Sequence, residues 1–187
     1  MQRNHAGIGV SLAAAGVVLA LALAFTLAAS GCRAGGTRAA AVPVDVPVTA
    51  TTDAGGTRYE MADFVVAAPA GAALGRSVNQ VGSPLAEQRL EFYRPAVTIR
   101  GYADDRAAES LASEYFRDGD GQPLPYERRA LGSNAWLVAR TRGNVLAVTA
   151  RPGFCLLASA PRGEEEAFRI LLSGVAHRED ASRAPTR

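Results

Sequence analysis

Lysine is absent from this chain of 187 residues, and all 20 of its basic side chains are arginine. Its 18 acids are interspersed among them and the formal net charge is only +2. No basic block stands out, so the footprint of a nucleic-acid binder is missing and nucleic acid is not an expected partner. Histidine is nearly absent too: His5 lies near the start, and His177 is the only one further along. Ser-His-Asp hydrolysis, a Cys-His pair and a histidine-rich zinc site therefore lack their partners. The two cysteines are Cys32 and Cys155; once Cys32 is used otherwise, no intramolecular disulfide can form. The Gly71 to Gly82 stretch lacks the spacing of a phosphate-cradling loop. Asp118-Gly119-Asp120-Gly121 begins like a calcium loop. However, Pro123 and Arg129 fall at its sixth and twelfth positions, so it reads as a turn. No cofactor and no metal site is expected.

What the chain does have is a long uncharged start. Arg3 precedes a run from Ala6 to Gly31 without a charge, densest in apolar residues from Val17 to Leu27. A positive start, an apolar stretch and small residues before a break make a secretory signal. Ala29-Ser30-Gly31-Cys32 resembles the lipobox of bacterial lipoproteins. The resemblance implies cleavage between Gly31 and Cys32, a diacylglyceryl group on the Cys32 thiol and an acylated new amine. One acyl chain holds a protein to a bilayer marginally, whereas two or three hold it stably at ~0.8 kcal/mol per buried methylene. Arg33 after the cysteine, where Asp would favour inner-membrane retention, implies an outer-membrane address in a Gram-negative host. Two alternatives stay open. The run is long enough for an uncleaved transmembrane helix, and an ordinary cleaved signal also fits.

The expected organisation is a signal peptide over 1–31, a lipidated N-terminus with a flexible linker over 32–57, a domain over 58–178 and a disordered tail over 179–187. The linker is rich in Ala, Gly, Pro, Thr and Val and offers little apolar area to offset ordering entropy. Within the domain, Ala62 to Pro69 reads as a strand and Gly71 to Pro84 as a loop. Gln88 to Tyr93 and Val97 to Tyr102 alternate as a half-buried hairpin. Asp104 or Asp105 can cap a helix through Arg117, with Ala108, Leu111, Ala112 and Tyr115 on one stripe. Strands follow over Tyr126–Ala130, Ala135–Thr141, Asn144–Arg151 and Phe154–Ala160. The nearly continuous apolar runs at Leu146 to Val148 and Cys155 to Leu157 ask for cover on both faces. A last helix has Glu164, Glu165 and Glu166 in its first turn and His177 and Arg178 in its last. Its apolar stripe is Phe168, Leu171, Leu172 and Val175.

This order predicts an α+β domain, an antiparallel sheet with two helices packed on it. It is similar to the Mog1/PsbP-like fold and to actinobacterial lipoproteins that share it, relatives that are mostly accessory or binding proteins. Cys155 reads as a small buried hydrophobe, Trp136 as core, and His177 as a cap at the end of the last helix. Tyr93, beside Arg89 and Glu91 on the polar face of its strand, is the candidate partner contact. The expected function is a membrane-anchored envelope lipoprotein that binds an envelope partner without catalysis, facing the periplasm or exterior. The alternative is an enzyme that works through carboxylates on envelope material.

Overall fold

The computed structural model describes residues 42–183. Twelve strands are present among them: β1 (Val44–Asp45), β2 (Thr49–Asp53), β3 (Gly56–Glu60), β4 (Phe64–Pro69), β5 (Ala73–Val81), β6 (Gln88–Arg94), β7 (Ala96–Tyr102), β8 (Tyr126–Leu131), β9 (Asn134–Arg140), β10 (Asn144–Arg151), β11 (Phe154–Pro161) and β12 (Val175–His177). Three short helices join them: α1 (Ala108–Tyr115), α2 (Glu165–Ser173) and α3 (Arg178–Arg183). The strands form an eight-stranded sheet in the order β1-β5-β6-β7-β11-β10-β9-β8 and a four-stranded sheet in the order β12-β4-β3-β2. All pairings are antiparallel.

The expected α+β domain with one sheet and two helices is therefore corrected. Strand outweighs helix by 54% to 17%, and there are two sheets rather than one. The unexpected strands come from segments without apolar alternation. Val44 to Thr57, read as linker, forms β1, β2 and the start of β3; Gly71 to Pro84, read as a loop, contains β5. Edge strands need few buried side chains, and β-branched Thr and Val suit an extended backbone as well as they suit a spacer. The tail also differs, because Arg178–Arg183 is helical; the expectation for residues beyond 183 lies outside the described residues.

The core explains the layering. Leu90, Phe92, Val97, Ile99, Trp136, Val138, Val145, Ala147 and Leu156 line the inner face of the large sheet. They pack against Tyr59, Phe64, Val66 and Ala68 of the small sheet and against Phe168, Leu171 and Leu172 of α2. A T-shaped Tyr59–Phe92 contact, with centroids 5.6 Å apart, joins the two sheets. Gly101 lies under this layer, and a methyl group there would collide with the Phe154 ring. On the other face of the large sheet, Leu111, Ala112 and Phe116 cover Leu137, Ala139, Val148 and Cys155. Strands β9 to β11 are thus covered on both faces, as their apolar runs require. The helical stripe foreseen over Ala108, Leu111, Ala112 and Tyr115 is the one used. Its cap differs, since Ala107 occupies the N-cap and the Asp104 carboxylate instead accepts the Arg106 amide at 2.8 Å.

Buried polar side chains staple the layers. Asn79 accepts the Ala62 amide at 3.1 Å, and Gln88 accepts the Asp63 amide at 3.0 Å while donating to the Asp63 carboxylate. Asn134 donates to the Val175 carbonyl at 2.8 Å. Three of these bonds give a backbone group its partner where the two sheets meet, and the fourth holds Gln88 in place.

Candidate functional site

Cys32 and Gly31, with the signal peptide and the first part of the linker, lie outside the described residues. Within them, the sequence-derived candidates separate into core and surface. Cys155 is 1% exposed, and burial pushes its thiol up to about 12. A thiol held protonated is a poor nucleophile. Trp136 is fully buried in the inner core. The Asp118 carboxylate accepts the amides of Asp120 and Gln122 at 2.9 and 2.8 Å, which is turn chemistry. Among the described residues no group of three or more His, Cys, Asp or Glu is placed to hold a metal ion.

His177 is not a helix cap. Helix α2 stops at Ser173, because Gly174 presses on β4: a methyl at Gly174 would meet the Ala67 carbonyl, and the Ala67 amide donates to the Gly174 carbonyl at 2.8 Å. The chain then continues as β12, pairing His177 with Phe64. The imidazole is buried, edge-on to Phe154 at 5.9 Å, with no hydrogen-bond partner at Nε2. Burial, and then the charge of Arg151, lowers its pKa, against the opposing pull of Asp180, Asp63 and Glu179.

Tyr93 is the surface residue among these, 65% exposed. Its position follows from β-strand alternation. Residues 88, 90 and 92 of β6 point into the core, so Arg89, Glu91 and Tyr93 point out. The neighbouring strand makes room, because a Cβ at Gly75 would come within 3.3 Å of the Tyr93 ring. Beside it runs a charged lattice. Arg89 and Arg100 face each other in register across β6 and β7. Glu87 sits between them, 3.7 Å from Arg89 Nε and 3.8 Å from Arg100 Nε, and Glu91 lies 3.3 Å from Arg89 Nε. The Tyr102 hydroxyl completes the row at 3.5 Å from Glu87; burial first, and Glu87 next, raise its pKa. Like charges opposite one another on a sheet repel, and the two glutamates neutralise the two arginines. The result is a polar, alternating-charge face suited to recognising another polar surface.

Other acids are held in ion pairs. Arg106 lowers the pKa of Asp104, Arg129 and Arg140 lower that of Glu127, and Arg140 lowers that of Glu165. Arg140 bridges β8 to the start of α2, its Nε 2.9 Å from Glu165. An open depression of about 270 Å³ lies between the start of α1 and the β8–β9 turn. Glu109 and Arg128, which form an ion pair, are among its lining residues.

No protein-family model matches this chain, and no curated protein matches it either. Among the described residues no helix is long and apolar enough to cross a membrane.

Proposed function

We propose that this chain is a bacterial envelope lipoprotein, attached to the membrane through lipid on Cys32. In this reading its two-sheet domain is a non-enzymatic binding or accessory module for an envelope partner protein, facing the periplasm or exterior. The observation that carries it is the run from Ala6 to Gly31, uncharged and ending in Ala29-Ser30-Gly31-Cys32. The domain supports the second half of the reading. Its buried thiol and imidazole are withdrawn from solvent, whereas the face that carries Tyr93 is open and polar.

Metabolic labelling with an alkyne fatty acid tests the anchor. The wild type is expected to take the label and Cys32→Ala to lose it; equal labelling of both, or of neither, overturns the lipoprotein reading. Cross-linking in cells followed by capture tests the module. A reproducible envelope partner, lost when Tyr93 and Arg100 are replaced by Ala, is the expected result, and capture that ignores those changes overturns the assignment of this face.

A further inference from the structure

The two sheets expose their edges unequally. Natural sheets protect an edge with charge, bulges, short strands or a covering element, because an unpaired row of backbone groups invites another strand. At one end of the large sheet, β8 carries Glu127, Arg128 and Arg129. At the other end β1 has two residues, and the β5 edge beyond it is broken by register shifts between Ala73 and Leu74 and between Leu74 and Arg76. In the small sheet β12 has three residues and runs directly into α3. Among the described edge strands β2 is the least protected, its one charge being Asp53 at the hairpin end. It has five residues, all exposed, pairs with β3 without a bulge, and contains no charge from Thr49 to Thr52 and no proline.

The geometry of that edge defines what can pair with it. The hairpin closes through the two residues Ala54 and Gly55, so Asp53 and Gly56 are a hydrogen-bonded pair. Alternation then directs the backbone groups of Thr51 and Thr49 toward β3 as well, and those of Ala50 and Thr52 outward. An antiparallel copy of the same strand, centred on Thr51, places Ala50 opposite Thr52 of the second copy. All four outward groups of each pair are then satisfied. Asp53 falls opposite Thr49, so the one charge of the strand never meets its own copy. A parallel arrangement would bring the two Asp53 carboxylates side by side, which is unfavourable.

We propose that β2 is a self-association edge, through which two copies of this chain pair about a two-fold axis at Thr51. The small sheets then join into one continuous sheet of eight strands across the pair. The protected edges elsewhere stop growth at two copies, since a two-fold contact that consumes its own surface closes the assembly. An edge of five residues is small beside the ~1,200 Å² that stable complexes bury, so the dimer is weak and concentration-dependent. This inference does not depend on the lipid anchor.

Disulfide trapping of the full chain tests it. Cys32→Ser leaves the buried Cys155 as the only native thiol. In the proposed register two Thr51 residues form a non-hydrogen-bonded pair with Cα atoms ~4.5 Å apart, inside the disulfide range. Two Thr49 residues are ~13 Å apart, outside it. In detergent solution under copper–phenanthroline oxidation, Thr51→Cys is expected to yield at least about tenfold more cross-linked dimer than Thr49→Cys. Thr49→Cys combined with Asp53→Cys is expected to restore cross-linking, and dilution to abolish it. Equal yields at Thr51 and Thr49, or no dimer from either Thr51→Cys or the double variant, overturn the proposal. All three positions are exposed, so folding is not at stake in the comparison.

Discussion

The outer face of the large sheet is two surfaces built on one backbone. Over β9, β10 and β11 it is apolar and sealed by Leu111, Ala112 and Phe116 of the α1 segment. Over β6 and β7 it is a half-buried charged lattice of Glu87, Arg89, Glu91 and Arg100 with exposed Tyr93 beside it. The inner face below both halves is continuous core. The difference teaches where stability and recognition are kept apart. Side chains in the sealed half cannot change without opening a cavity, whereas those in the open half can change while the strands beneath them stay in place.

The largest expected effect is in the sealed half. Leu111 is fully buried, and Leu111→Ala should destabilise the fold by ~2–5 kcal/mol, read as a lower midpoint in denaturant with unchanged slope. A cost as small as that of a surface change would dissolve the distinction between the halves. A second effect tests the inner layer. Because burial lowers the pKa of His177, the unfolded chain takes up a proton before the folded one does. The stability contributed by the neutral imidazole is therefore present above the unfolded value of ~6.5 and is lost as pH falls toward the folded one. Thermal melts of the wild type should show this loss as pH falls below ~6.5, beyond the loss seen in His177→Gln. Parallel curves would remove the buried histidine from the account. The smallest effect belongs to the open half. Glu91→Gln, at the more exposed end of the lattice, should cost at most about 1 kcal/mol, and less in high salt, measured by the same denaturant melts. A cost that exceeds this and ignores salt would show that the lattice is structural.

Legibility followed the same division. Strands β6, β7 and β9 to β11 were readable because burial on one or both faces leaves alternation or a continuous apolar run, as at Leu90 and Phe92 or Leu156 and Leu157. Helix α1 was readable from Leu111 and Ala112, and the first two turns of α2 from Phe168, Leu171 and Leu172. Strands β2 and β5 were not, since Thr-Ala-Thr-Thr-Asp and Gly-Arg-Ser carry no periodicity when neither face is packed. The end of α2 was misread for a different reason. Val175 continues the helical stripe in spacing, and only the close approach of Gly174 to Ala67 turns it into a strand residue. Without β2, β3 and β12 the second sheet could not be inferred, and the domain was read as α+β. Of the open face, Tyr93 with Arg89 and Glu91 was legible from alternation alone. The opposition of Arg89 to Arg100 was not, because it is a matter of register between strands.

The brevity of β1 has a mechanical meaning. Any pull on the chain from its N-terminal side reaches the domain at Val44, whose pairing with Val81, with that of Asp45 with Gln80, is all that β1 contributes to the large sheet. Beyond it come the Val46 amide on the Asn79 carbonyl at 2.7 Å and the Asn79 amide on the Pro47 carbonyl at 3.4 Å. These few bonds are loaded one after another, as a zipper is, and they yield before the load reaches Val48, which packs against the inner core. Peeling residues 44–47 pays out roughly 14 Å of chain at about 3.4 Å per residue. The first strand thus acts as a slack-release, absorbing a tug while the hydrophobic contact between the sheets stays shut.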